Sequence, residues 1–307
     1  MFNLHERVRE NVPGLRRCGH SPKAGGSTKR CHAGVVNGWR GGAQDPTPSL
    51  LLKQKARDSE DSGDWVGAEM AYREVLALEE SLGDFGMIAK AHLDLSRLLR
   101  LLGRLHEAWQ FACQATASAR RTRIFPVRVM ALGNESLCAL DRGDSAVALK
   151  AASEAVQVIE PGKIHDVMRA RAQVTRAGCL VATGDPLSAD SDLWSSWDML
   201  KFPPFGSMPM SGPVVALANW WEVKSQLEEQ RGNVGGARAA MARAEGHLRL
   251  LQGPYALFAR AKVLDHVAAL SSLAGDSPAA ERAAAEAKGI RIDLRVPPGR
   301  SFVPLSF

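Results

Sequence analysis

The chain has 307 residues, 45% of them hydrophobic, 23% charged and only 6% aromatic, with a formal charge of +6; this composition suits a soluble folded protein and excludes a chain disordered throughout. No run approaches the ~18 consecutive apolar residues of a membrane-spanning helix, and the segment after Met1 lacks the basic, apolar, small-residue order of a secretory leader. The five cysteines, Cys18, Cys31, Cys113, Cys138 and Cys179, are scattered and odd in number, which argues against a disulfide framework and for a reducing, cytoplasmic setting with no membrane involved.

Residues 1–46 carry most of the charge excess. Eight basic and three acidic residues stand within the first fifty positions, leaving the rest almost neutral, so nucleic acid is not the expected partner of the body. Eight glycines, three prolines and no sustained apolar period predict a disordered or loosely attached basic tail. Cys18, His20, Cys31 and His32 are zinc-ligand types, but both pairs are spaced more tightly than tetrahedral ligand pairs usually are, and no metal or cofactor is expected. The Arg-rich, Ser-containing composition also fits an organelle transit peptide, against which Glu6 and Glu10 stand; an organellar location is the alternative to a cytoplasmic one.

From Thr47 the chain repeats itself. Turn glycines recur at Gly63, Gly103, Gly143, Gly184, Gly232 and Gly275, spaced 40, 40, 41, 48 and 43 residues apart. Five of the six precede Asp or Asn, Arg104 being the exception; such a pair ends one helix in the left-handed conformation and caps the next. Five residues after each glycine stands Ala68, Ala108, Ala148, Ala189, Ala237 or Ala280, and seven before it Ala56, Ser96, Ser136, Ala177, Ser225 or Ala268. One small residue on each of two successive helices lets their backbones approach closely. Helical apolar spacing is clear at Ala91, Leu95, Leu98, Leu99 and Leu102, and Pro48, Pro126, Pro213 and Pro254 mark helix starts. The expectation is an all-α body over 47–288 of twelve helices in six antiparallel hairpins, followed by an irregular, Pro-containing tail over 289–307.

These residues resemble the tetratricopeptide repeat: a small residue on the first helix, a Gly-Asp turn, then Ala and a larger residue four on, as in Ala68 with Tyr72, Ala189 with Leu193 and Ala237 with Met241. The period near 40 is similar to the extended subtype of kinesin light chains, spindle-orientation adaptors and the helical region of MalT-type transcription regulators. The family's aromatic at the first-helix start is missing, and its closing proline is absent or displaced, as at Pro161. The resemblance implies a right-handed superhelical solenoid whose first helices line a concave groove for a peptide or partner helix.

On that implication, the positions thirteen, ten, six and three before each turn glycine face the groove. They supply Lys53, Arg57, Lys90, Arg97, Arg100, Arg171, Asn219 and Lys262, with Glu60, Glu222, Glu229 and Asp265 at equivalent places. A protein or peptide partner is expected, an acidic one matching the basic cluster of the first two repeats, against the plain alternative of a solvated helix face. The longest interval holds a second candidate, the loop with Phe202, Phe205, Met208 and Met210, flanked by Trp194, Trp197, Trp220 and Trp221. These four tryptophans are expected to pack mainly as core.

No phosphate-binding loop, His-Glu-x-x-His or Gly-x-Ser-x-Gly is present. His106, His165, His247 and His266 stand singly, and Cys113, Cys138 and Cys179 fall among alanines and leucines as packing residues. The expected function is therefore a non-enzymatic interaction scaffold, without a small-molecule substrate; the alternative is the sensor or assembly module of a MalT-type regulator or a subunit of a larger complex.

Overall fold

The structure, a computed structural model, describes residues 47–159, 166–201 and 211–295. The basic tail, with Cys18, His20, Cys31 and His32, lies outside the described residues, as do Pro161, His165, the segment from residue 296, and Phe202, Phe205, Met208 and Met210. The described residues form twelve helices: α1 Pro48–Asp61, α2 Trp65–Leu82, α3 Phe85–Leu101, α4 Leu105–Arg120, α5 Phe125–Asp141, α6 Ser145–Val158, α7 Asp166–Thr183, α8 Pro186–Lys201, α9 Ser211–Gln230, α10 Val234–Leu248, α11 Pro254–Leu273 and α12 Ser277–Asp293. Helix α12 thus runs past residue 288. Among the described residues no helix is long and apolar enough to cross a membrane.

The turns act as the sequence suggests. All six turn glycines have φ between 71° and 82°, where a side chain would clash with its own backbone. Asp64, Asp144, Asn233 and Asp276 then accept hydrogen bonds from amides of the next helix at 2.9–3.2 Å. Arg104 makes no such cap. Its guanidinium instead bridges Glu107 and Glu69, the latter at 2.5 Å, tying α4 to α2.

Each helix packs on its hairpin partner, and the second helix of each hairpin packs on the first of the next. The small residues sit at these contacts: Ser96 and Ala108 are fully buried, and Ser96 Oγ donates to the Ala108 carbonyl at 2.8 Å. A serine there satisfies its own hydroxyl while leaving room for backbone approach. Tyr72, Leu193 and Met241, the larger residues four places on, are buried as well. Odd-numbered helices also touch one another in series, α3 with α5, α5 with α7 and α7 with α9, so they form the inner layer.

The ends of the array meet. Trp65 at the start of α2 packs against Phe258 of α11 at 5.4 Å between ring centroids, the rings tilted by 56°, and its Nε1 donates to the Leu294 carbonyl at 3.2 Å. Around this contact Ala56, Ala68, Ala71, Ala261, Ala283 and Ile290 of the first and last hairpins join Leu95, Leu98 and Leu101 of α3 in one apolar cluster. An open solenoid stacks each repeat only on its neighbours; here the array closes into a ring with an interior.

Three of the four tryptophans pack together, with Trp197, Trp220 and Trp221 at 4.7–5.7 Å between centroids. Trp220 Nε1 donates to the Leu193 carbonyl at 2.8 Å. Trp194 departs from the expectation: it is 66% exposed. Ala189, Leu193, Ser196 and Leu200 already fill the inward stripe of α8, and Trp194 falls a ~100° step off it.

Candidate functional site

Closing the ring makes a cavity instead of a groove open along its length. An inner chamber of about 150 Å³ is lined from α3, α5, α7 and α9. A second, outer chamber of about 440 Å³ is lined from α1, α3, α7, α9 and the start of α11. Arg97 and Arg171 line both and mark where the chambers meet. Exposed Arg57, Asp61 and Gln252 on the outer chamber's wall open it to solvent.

The spacing rule places several residues on these walls. In the third hairpin it names Met130, Gly133 and Leu137, which line the inner chamber beside Leu93, Val174, Arg171 and Asn219 from its neighbours. Arg57 and Glu60 line the outer chamber. In the second hairpin the position three before the glycine turns away. Arg100 there is buried and its Nε donates to Asp141 Oδ2 at 2.6 Å, within the seam between α3 and α5.

The other expected groove residues are spread out. Lys53 is 3.4 Å from the buried Glu79, which also accepts from Ser49. Lys262 pairs with Glu222 across α11 and α9. Lys90 is exposed on α3 and lines neither chamber. The structure therefore gathers Arg57, Arg97, Arg171 and Asn219 around one interior and places Lys53, Lys90, Arg100 and Lys262 elsewhere.

Three wall residues fall outside the four-position rule. Asp94, Asn134 and Thr175 each stand nine before a turn glycine, and all line the inner chamber. A polar residue nine before the glycine in three consecutive repeats is the signal that locates them. The exposed stripe of an inner helix is wide enough to include it beside the position at ten. Asn134 is held by donating from Nδ2 to Ser96 Oγ at 2.8 Å.

The two arginines differ in their surroundings. Arg97 lies 3.7 Å from Asp94 and over the Tyr255 ring at 4.3 Å, and Tyr255 Oη donates to the buried Glu60. Burial pulls the Arg97 guanidinium down, but Tyr255, Asp94 and Glu60 more than offset it and hold its pKa above the ordinary value. Arg171 has no ion-pair partner among the described residues, and burial alone pushes its pKa down to about 10. It is half-buried and still carries a full charge at neutral pH, with no carboxylate among the described residues to offset it.

Outside the cavity His266 lies 2.9 Å from Glu229, and His106 hydrogen-bonds Gln110 at 3.2 Å. Cys138 and Cys179 are buried, and that burial pushes both thiols up to about 11. No cluster of three or more potential metal-ligating side chains occurs among the described residues.

The hairpin order, the inner layer of first helices and the small-residue contacts can be compared with solved structures. RapI in its apo form superposes with a TM-score of 0.60 at 9% identity, over 82% of this chain and 86% of that one. The fold is that of a tetratricopeptide repeat solenoid. A Rap protein complexed with Competence and Sporulation Factor matches this solenoid with a TM-score of 0.56 at 13% identity, over 80% of this chain and 76% of that one. A signal-transduction ATPase with numerous domains from Pyrococcus horikoshii, which has a tetratricopeptide repeat sensor, matches at 0.50 and 12% identity, over 74% of this chain and 34% of its own. No family model and no curated protein matches the sequence of this solenoid.

Proposed function

We propose that the chain is a non-enzymatic interaction scaffold that receives a segment of a protein partner through the mouth of its outer chamber. The observation that carries this reading is the ring interior itself: first helices from separate hairpins aim Arg57, Arg97 and Arg171 at one solvent-connected cavity. A carboxylate-bearing segment suits these cations, because charge-assisted hydrogen bonds in a partly dry site are stronger than those on an open face. The Rap protein complexed with Competence and Sporulation Factor lends support, since a protein of similar fold forms a complex with a factor.

Photo-crosslinking in cells tests the reading. A photoreactive residue at Gln252, on the mouth, should capture a partner that one at Lys150, exposed on the outer helix α6, does not. Arg57→Glu should weaken the capture without changing the melting temperature. Capture at 150 but not at 252 places the partner on the outer surface and overturns the reading. A second reading, a sensor or assembly module of a larger regulator, draws support from the likeness to the sensor-bearing ATPase; it requires co-purification with such a regulator.

A further inference from the structure

The inner chamber poses a separate question, because it is too small for a peptide segment and too charged to stay empty. Its about 150 Å³ matches a cavity of ~150 Å³ that takes one benzene-sized guest. Leu93, Val129, Leu137, Met168, Val174 and Ala216 supply an apolar wall on four helices. At the end shared with the outer chamber stands Arg171, with no carboxylate to pair it among the described residues. The Nε–H of Arg97 is buried there too and has no acceptor. Asn134, Thr175 and Asn219 line the same chamber and add hydrogen-bonding capacity around these donors.

We infer that the inner chamber binds a small monocarboxylate with a compact apolar body, its carboxylate on Arg171 and the Nε–H of Arg97 and its body among the apolar residues of α3, α5, α7 and α9. The charge count selects a single negative charge. Arg97 is already matched by Asp94 and lies beside Glu60, so one unopposed cation remains, and a dianion would meet the carboxylate of Asp94 on the same wall. The apolar wall selects against inorganic anions, which bury no hydrocarbon and would forfeit their hydration. This goes beyond the scaffold reading, since it gives the protein a small ligand of its own beside the mouth where a partner segment is proposed to enter.

Phenylacetate is the probe, titrated calorimetrically into the full-length chain. The expected result is saturable binding of one molecule per chain, with benzyl alcohol and benzylamine failing to bind. Arg171→Met should weaken phenylacetate by about tenfold or more, the usual loss when a charged hydrogen-bonding partner is removed. The same variant should melt no lower than the native chain in the absence of ligand, because it removes an uncompensated charge. Gly133→Leu keeps Arg171 and fills the chamber from a position where an added Cβ meets nothing within 4 Å; it should abolish binding while the chain still folds.

Equal binding of all three probes, or undiminished binding by both variants, overturns the inference. So does binding of the peptide Ala-Ala-Phe with a free carboxyl end when phenylacetate fails, which makes the chamber a subsite for a chain terminus. Failure of phenylacetate leaves crosslinking at Gln252 untouched, so the two readings fall separately.

Discussion

Arg100 and Asp141 form an ion pair between α3 and α5 in which Nε donates to Oδ2 at 2.6 Å, the side chains being only 1% and 3% exposed. Both positions end first helices of adjacent hairpins, so the pair fastens neighbouring repeats. A ligand-binding arginine and a structural one respond differently to mutation. Arg100→Ala leaves a buried carboxylate without its partner and should cost ~3–5 kcal/mol in urea unfolding. Replacing both residues together, by Met and Leu, should recover most of that loss, since a well-packed apolar pair substitutes for a buried ion pair. Loss of partner capture with unchanged stability in Arg100→Ala would instead make Arg100 a contact residue.

The seam between the first and last hairpins can be weighed at Trp65. Trp65→Ala removes the tilted ring contact with Phe258 and the hydrogen bond to Leu294, and should cost ~3–5 kcal/mol, the usual range for a buried aromatic. Trp65→Phe keeps most of the ring surface and loses the indole donor, so it should cost ~1–2 kcal/mol plus a smaller packing loss. Equal losses from the two would assign the seam to the hydrogen bond alone.

Glu60 gives the seam a pH response. It is buried under Tyr255, with Tyr72, Arg97 and Asp94 nearby, and burial raises its pKa above the ordinary 4.5 despite Arg97 and Tyr255. A carboxyl that is harder to ionise in the folded chain contributes stability below its unfolded pKa and loses it as pH rises through the folded value. The melting temperature of the native chain relative to Glu60→Gln should therefore rise as the pH falls from neutral toward 4.5. A difference that is flat over that window would show that Arg97 and Tyr255 fully offset the burial.

Two glycines separate backbone need from helix propensity. Gly143, at φ 79°, ends a hairpin turn, and Gly143→Ala should lose ~1–2 kcal/mol by forcing a side chain into the left-handed region. Gly246 lies inside α10, exposed, with nothing within 4 Å of an added Cβ, so Gly246→Ala should gain ~1 kcal/mol. Urea midpoints with unchanged slopes are the check.

Cys138 and Cys179 should resist iodoacetamide in the native chain and react only after unfolding, because both are buried and burial holds each thiol at about 11. Peptide mapping reads each position separately. Rapid native-state labelling of either would mean that its hairpin opens locally.

The parts of this fold written in local chemistry were legible before the structure. A glycine that must adopt positive φ, followed in five of six turns by an Asp or Asn suited to capping, announces the turns within a few residues, and the small residues around it announce the close contact. The width of the inner face was less legible: the chosen offsets reached Arg97 and Arg171 but not Asp94, Asn134 and Thr175, because a helix with ~3.6 residues per turn presents positions nine and ten before the glycine to nearly the same side. The partners of Arg100 and Lys262 were hidden because each pair joins different hairpins. The seam was hidden altogether, since Trp65 and Leu294 are 229 positions apart and no periodicity relates them.

Joining the two ends changes how the array comes apart and together. A linear stack of repeats frays from its outermost members and can begin folding at any one of them. Here the hairpin that carries Trp65 lacks this neighbour until α11 and α12 have been made, so Trp65 waits exposed while the intervening residues are synthesised. The late contact across 229 residues carries a large loop-closure cost and should slow the final step of folding. Once made, it leaves no free end at which unravelling can start, and breaking the ring at any one junction exposes two hairpins at once.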